Sequence, residues 1–355
     1  DYIWIKKDGV YNRAIAAQEN LSGIGVINAP IIFEGYNNNI GDGYLGHNRN
    51  GAYLELNTDN FPFIYYSGTS SRLNIPNSCI YLKYLNISGQ VNGTNTLITM
   101  VNRNCLIKSC RIINHPVAFT SNPAVIAMQT AVSTIIDCDL GHFGNHNGSI
   151  FNNSSTIRIL KNRFFSDGNG GRQAILNSSI GFIDGNYFYN ISGVAINNNT
   201  TIITNIPTVT NNTFFDCRNG ILEIVTGALG VTYMANNLIV SENPLREQIT
   251  TYVSGSAILD GNVFLINGNL FDLSNNAILY MENNYSGSYV NPFVDLENKN
   301  FLLNSNSTIF NSGYPYLDLN INPPGVGLRS GIINNNQNCL TYAPGRITNV
   351  SRIIF

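Results

Sequence analysis

The run Val209-Thr210-Asn211-Asn212-Thr213-Phe214-Phe215 decides how this chain folds. A β-branched pair leads into two polar residues, and an aromatic pair closes the run. Asn212 has counterparts at Cys110, Cys138, Asn162, Asn186, Asn237, Asn262 and Asn284. Taken in chain order, these eight positions are spaced 28, 24, 24, 26, 25, 25 and 22 residues apart. A period near 25 with variable insertions is that of a solenoid, in which each repeat is one coil and touches only its neighbours. Function then has to sit on the outer faces or in the loops.

The segments between these positions are short, β-branched and aromatic, and are broken by Gly, Asn and Ser, as in Gly220-Ile221-Leu222-Glu223-Ile224-Val225. That is strand chemistry. No stretch keeps a 3.6-residue period over three turns. Asn suits a corner because it tolerates left-handed backbone angles and bonds locally. One coil on, about 4.8 Å away, it meets its own kind. Stacked amides can then satisfy one another along the axis. Two positions after each corner stand Ile112, Leu140, Phe164, Phe188, Phe214, Ile239 and Phe264. This column is expected to form the core.

With these residues in view, the chain resembles the right-handed parallel β-helix proteins of the pectate lyase-like superfamily. The corner Asn followed by a large apolar residue is similar to their Asn ladder. The opening residues 1–11, the stretch Pro30–Tyr36 with Gly41-Asp42, and the closing Asn291–Asp295, Phe301–Leu303 and Ser307–Gly313 resemble the first and last segments of secreted polysaccharide-degrading β-helices. Viral tailspikes share the coil. The resemblance implies an all-β, single-stranded right-handed parallel β-helix with irregular N-terminal coils over 1–78, regular coils over 79–290 and a C-terminal capping segment over 291–355. Because one fold hosts many activities, the resemblance speaks for architecture more than for chemistry.

Charge is thin: 19 Lys and Arg against 21 Asp and Glu, a net charge of −2, and only 11% charged residues. A nucleic-acid partner would need a basic stripe, and none is present. The same thinness disfavours a strong trap for polyanions. No apolar run reaches the length of a membrane span. The chain opens on Asp1 and enters a strand at once, so upstream sequence is expected to be processed off or absent. Sequons at Asn20, Asn86, Asn92, Asn190 and Asn349 are what an Asn-rich chain generates by composition. The cysteines, 79, 105, 110, 138, 217 and 339, lack metal-site spacing. Cys110 and Cys138 replace Asn in the ladder on adjacent coils. They can stack as buried thiols, and they also lie within disulfide range.

The family resemblance points to the strand after the loop that follows each corner as the working sheet. Aligning those strands places Glu223 with Ala195, Tyr252 and Asp272. Glu223 and Asp272 then stand two coils apart, about 9.6 Å, near the carboxylate separation of inverting glycosidases. They are the candidate catalytic pair, with Tyr252, Arg246 and Glu247 as ligand-binding neighbours. A second cluster joins His142 and His146 to Asp167 and Arg172 in adjacent Gly-rich loops, where they could grip a sugar acid or do acid–base work. Arg111, Asp139 and Arg163, with Asp137 and Lys161 beside them, read as a structural column of alternating charge.

The chain lacks the adjacent Asp-Asp and Gly-His-Gly of the acid-pair hydrolases of this fold, and it lacks a dense acid cluster for calcium. No metal and no cofactor is expected. The expected function is an extracellular, cell-surface or virion-surface β-helix, an adhesin or a tailspike-like fibre. It would engage a polysaccharide or cell-surface glycan without strong catalytic equipment. A polysaccharide lyase or glycoside hydrolase, and a purely structural spacer, are the alternatives. A homo-oligomer is left open.

Overall fold

The computed structural model describes most of residues 2–306. Residues 1, 14–18, 22–24, 27–28, 47–53, 68–72, 77–78, 90–95, 102–103, 115–123, 130–131, 143–148, 154–155, 167–172, 179–180, 200–206, 218, 227–230, 254–255, 274–277, 283, 298–299, 305 and 307–355 lie outside the description.

The described residues form a parallel β-helix with the right-handed crossover sense of parallel strands. Three sheets run its length. Sheet A holds 11 strands from Tyr2–Lys6 to Ile278–Glu282, sheet B 11 from Val10–Arg13 to Tyr285–Gly287, and sheet C 10 from Glu19–Asn20 to Phe271–Leu273. Each coil lays one short strand in each sheet. The only helix among the described residues is the short 3₁₀ turn Asp42–Gly46. Among the described residues no helix is long and apolar enough to cross a membrane. The coils are longest early: 30 residues separate the register partners Tyr2 and Ile32, and 49 separate Ile32 and Tyr81, but only 25 separate Tyr81 and Leu106.

The ladder forms at the corner between sheets A and B. Asn162, Asn186, Asn212, Asn237 and Asn262 are each fully buried. In each, the backbone N–H and the side-chain Nδ2 both donate to Oδ1 of the next Asn, at 2.8–3.1 Å. Asn284 accepts the last pair. Nδ2 also donates to a backbone carbonyl, such as Ile183 O from Asn212 at 2.9 Å. All the strong polar capacity of the buried amide is therefore used. Toward the N-terminus, Cys138 N–H donates to Asn162 Oδ1 at 2.8 Å, and Cys110 N–H to Cys138 Sγ at 3.4 Å. Both cysteines are thiols here, continuing the ladder as small buried groups.

One expectation about the corner needs correcting. The left-handed residue is not the ladder Asn but the residue before it. Ser109, Asp137, Lys161, Asn211 and Asn236 have φ of 52–58°, and Gly185 and Gly261 have 65° and 62°. Such backbone costs a non-Gly residue roughly 1–2 kcal/mol. The ladder residue instead needs a side-chain carbonyl and amide aimed along the axis. The strained residues also bond outside the corner: Ser109 Oγ to Asp137 Oδ2 at 3.1 Å, and Asn211 Nδ2 to Asp184 Oδ1 at 2.8 Å.

We expect Asn212→Ala to cost about 1–3 kcal/mol, because Asn186 then loses the acceptor for its backbone N–H and Nδ2 while remaining buried. Urea unfolding of the variant, set beside an exposed Asn→Ala control, measures it. Equal midpoints would refute the stabilising role of the ladder.

The core column is as expected. Ile87, Ile112, Leu140, Phe164, Phe188, Phe214, Ile239 and Phe264 follow one another in strict register and are buried. Phe164, Phe188 and Phe214 stack with ring centroids 4.7 Å apart and near-parallel planes. Isoleucines 107, 135, 159 and 183 face them from sheet A. A second, shorter polar ladder runs inside the coil from the ends of sheet C strands to a sheet A strand: Asn177 Nδ2 donates to Asn198 Oδ1 at 3.1 Å, and Asn198 Nδ2 to Thr232 Oγ1 at 3.0 Å.

Sheet B is covered from outside by the chain itself. Over its middle coils lie Glu55 and Leu56, from the long early coil. Leu56 N–H donates to Asp139 Oδ2 at 2.9 Å, and Glu55 lies 3.9 Å from Arg111 and 3.6 Å from Arg163. Over its later coils lies the antiparallel hairpin Phe293–Asp295 with Asn300–Leu303. Phe293 and Leu303 bury the outward Tyr187, Leu238, Val240, Val263 and Leu265, and Phe293 meets Phe215 edge-on at 5.5 Å. Sheets A and C carry no such cover among the described residues.

Candidate functional site

Sheet C alternates strictly. Leu222, Ile224 and Ile249 are buried, so the intervening positions form the outer face. Its outer register column runs Asn74, Thr99, Ala127, Phe151, Leu176, Asn197, Glu223, Thr250, Asp272. Glu223 and Asp272 thus share one column two coils apart, about 9.6 Å at the usual strand spacing. Thr250 stands between them. The alignment with Ala195 and Tyr252 was off by two residues. Ala195 is buried at the strand's entrance, and Tyr252 pairs with Val225, in the neighbouring outward column. Insertions of unequal length before each strand caused the slip.

The side chains of Glu223 and Tyr252 lie outside the description. Asp272 is exposed. Of its charged neighbours before the strand, Arg246 is exposed and Glu247 half-buried, and the Arg246 carbonyl accepts a bond from buried Gln248 at 3.1 Å. That bond, with Gln248 fully buried, anchors the loop that presents Arg246 beside the column.

The second cluster falls mostly outside the described residues: His146, Asp167 and Arg172 are not described. His142 ends a sheet B strand in register with Asn114 and Ser166, and its side chain is not described. Arg111, Asp139 and Arg163 do form a register column. Asp139 is fully buried, Arg163 nearly so, and the guanidinium of Arg163 lies 5.5 Å from the Phe165 ring centroid. The Glu55–Leu56 strap lies over Asp139 and Arg163, which are buried, while Arg111 stays half-exposed; the column reads as structural.

Cys105, Cys138 and Cys217 are buried and offer no nucleophile. Burial pushes Cys105 up to about 11 and holds Cys138 and Cys217 further above the ordinary thiol range. At neutral pH they are protonated, and the thiolate is the reactive form. Among the described residues no three His, Cys, Asp or Glu side chains converge as metal ligands do.

The arrangement therefore offers a parallel sheet face, uncovered among the described residues, with one residue of the column per coil. Its outward column is rich in amides and hydroxyls and carries two carboxylate positions near its C-terminal end. Sequence reasoning missed Asn197 and Thr250, whose only signal was register with Glu223. No protein-family model and no curated protein matches the chain in sequence, so the functional reading rests on the fold and on this face.

Proposed function

We propose that this β-helix engages a glycan along the outer face of sheet C, as an extracellular, cell-surface or virion-surface protein of the adhesin or tailspike-fibre kind. The observation that carries the reading is the register of Asn197, Glu223, Thr250 and Asp272, four polar residues at successive coils on a sheet face that no other described segment covers. A sugar chain is itself a row of hydroxyls repeating at a similar spacing, and it can lie along such a column over several coils. Tyr252, in the adjoining column, would add an aromatic surface with a polar tip. The thin charge favours neutral sugars over polyanions. The Glu223–Asp272 spacing keeps a hydrolytic reading in the test, since it stands at the upper edge of the roughly 6.5–9.5 Å that suits two carboxylates with a water between them.

The test is a panel of polysaccharides assayed for binding and for release of reducing ends or unsaturated products, with Glu223→Gln, Tyr252→Ala and Asp272→Asn alongside the parent. Binding by the parent that weakens in these variants, with no product released, supports the binding protein. Product release abolished by Glu223→Gln or Asp272→Asn with binding retained would replace it with a glycosidase. Glycan binding left unchanged by all three substitutions would remove sheet C from the account.

A further inference from the structure

The ladder at the corner between sheets A and B changes chemistry at its N-terminal end. From Asn162 to Asn284 each coil is tied to the next by two hydrogen bonds to one amide oxygen. At Cys138 and Cys110 a thiol stands in place of the amide, with one weak donor instead of two strong ones. The Cys110 N–H reaches Cys138 Sγ at 3.4 Å, and sulfur is a weak acceptor. The coil-to-coil link is therefore poorest where the two cysteines meet.

Both side chains turn into the corner. Cys110 Sγ lies 3.4 Å from Lys108 O. Cys138 Sγ lies 3.3 Å from Ile136 O on its own coil and 3.6 Å from Ile107 O on the coil of Cys110. The Cys138 sulfur thus sits between the two coils, beside Cys110. Arg111 and Asp139 are register partners, so Cys110 and Cys138 stand opposite each other one coil apart. At strand spacing their Cα atoms are about 4.8 Å apart, inside the roughly 4.4–6.8 Å that a disulfide needs. Among the described residues no other two cysteines match in this way. Cys105 lies opposite Ile80, which leaves Cys79 one residue out of register, and consecutive residues of a strand point to opposite faces. Cys217 belongs to the coil of Asn212, far from both along the axis.

We propose that Cys110 and Cys138 become joined by a disulfide, a covalent rung at the weak end of the ladder, when the chain folds in contact with a small-molecule disulfide. The exchange balances in two steps. The Cys110 thiolate attacks one sulfur of the small disulfide and expels the other half as a thiol. The Cys138 thiolate then attacks Cys110 Sγ, expels the second half and closes the S–S bond. Two protein thiols are oxidised, one small disulfide is reduced to two thiols, and the two protons leave with those thiols. Burial sets the timing. Both cysteines are fully buried, so a solute cannot reach either sulfur once the coils have closed. Burial first, and hydrogen bonding with the Cys110 thiol second, also hold the Cys138 thiol well above its ordinary range, which keeps it protonated in the folded chain. The bond forms while the coils are open, and the same burial then shields it from reductants. The proposal does not depend on the glycan reading of sheet C.

Folding of the whole chain from denaturant in a mixture of reduced and oxidised glutathione tests it, with digestion in the absence of reductant and mass spectrometry as the readout. The same mixture applied to the folded chain in sub-denaturing urea, where coils open and reclose, gives that readout without refolding. The expected product is a peptide pair joined through Cys110 and Cys138. The linked form is expected to melt higher than the reduced form, by on the order of 5 °C for a closed loop of 28 residues. It should keep the bond in dithiothreitol until denaturant is added. Cys138→Ala exchanges one small buried group for another. It is expected to fold, to lose the linked pair, and to melt alike with and without glutathione. Six free thiols after oxidative folding would overturn the proposal. So would a bond from Cys110 or Cys138 to any other cysteine in the parent, or a linked form that melts no higher than the reduced one.

Discussion

Phe188→Ala is expected to destabilise the protein by about 3–5 kcal/mol, the range for truncating a fully buried aromatic residue. Phe188 lies between Phe164 and Phe214, each 4.7 Å away centroid to centroid and within 10° of parallel. Both neighbours are fully or almost fully buried. Removing the middle ring therefore opens a void that neither can fill without leaving its own coil. Each stacked pair adds roughly 0.5–1.5 kcal/mol beyond area burial, and two pairs are lost. In a solenoid the loss is felt through the nearest-neighbour interfaces, so the later coils should exchange amide protons faster than the first ones. Urea unfolding read by tyrosine fluorescence measures the stability. A shift under about 1 kcal/mol, the size expected for an exposed position, would contradict the core column.

Asp139→Ala is expected to cost about 1–3 kcal/mol, because the buried Leu56 N–H is left without the acceptor that Asp139 supplies. Asp139 is fully buried in register between Arg111 and Arg163, and its Oδ2 takes the Leu56 N–H at 2.9 Å. Without it, Arg163 stays buried with Glu55 as its one ion-pair partner among the described residues, at 3.6 Å, and Leu56 N–H loses its acceptor. Glu55→Gln is the informative contrast. Glu55 is 58% exposed, and its ion pairs are long, so solvent screening leaves them worth roughly 0–1 kcal/mol. Proteolysis separates the two effects: cleavage near Leu56 should accelerate strongly in Asp139→Ala and little in Glu55→Gln. Equal rates would mean that burial of Leu56, not the carboxylate, holds the strap.

The parts of the fold that repeat were legible in the sequence, and the parts that occur once were not. Asn162 to Asn284 and the apolar residues two positions later recur at the coil period, and each is fixed by its neighbour one coil away. The Glu55–Leu56 strap reaches Asp139 across 83 residues and leaves no periodic trace. The hairpin Phe293–Leu303 could be read as a cap but not as a cover for Leu238 and Val263. The inner bond between Asn177 and Asn198 spans only 21 residues, yet it was hidden because Asn also fills loops and corners throughout the chain. The corner itself was misread by one residue. The eye follows the repeated Asn, whereas the left-handed backbone falls on Ser109, Asp137 and Lys161, whose residue types vary.

At the candidate face, Glu223 and Asp272 were placed correctly relative to each other, and Tyr252 was not. The distance from corner to strand varies with the loop between them. Asn237 precedes the register residue Thr250 by 13, whereas Asn262 precedes Asp272 by 10. A fixed offset therefore cannot align sheet C, although it aligns sheet B, whose strands begin directly after the corner.

Hydrogen exchange of the asparagine side-chain amides, followed by nuclear magnetic resonance, tests the central claim most directly. In Asn162, Asn186, Asn212, Asn237 and Asn262 the Nδ2 group donates both to the next Oδ1 and to a backbone carbonyl from inside the corner. The account predicts five slowly exchanging amide groups, of which the remaining four lose protection together when Asn212 is replaced by Ala. Exchange at the rate of exposed asparagines, or protection confined to one or two of the five, would contradict the stacked ladder on which the whole architecture rests.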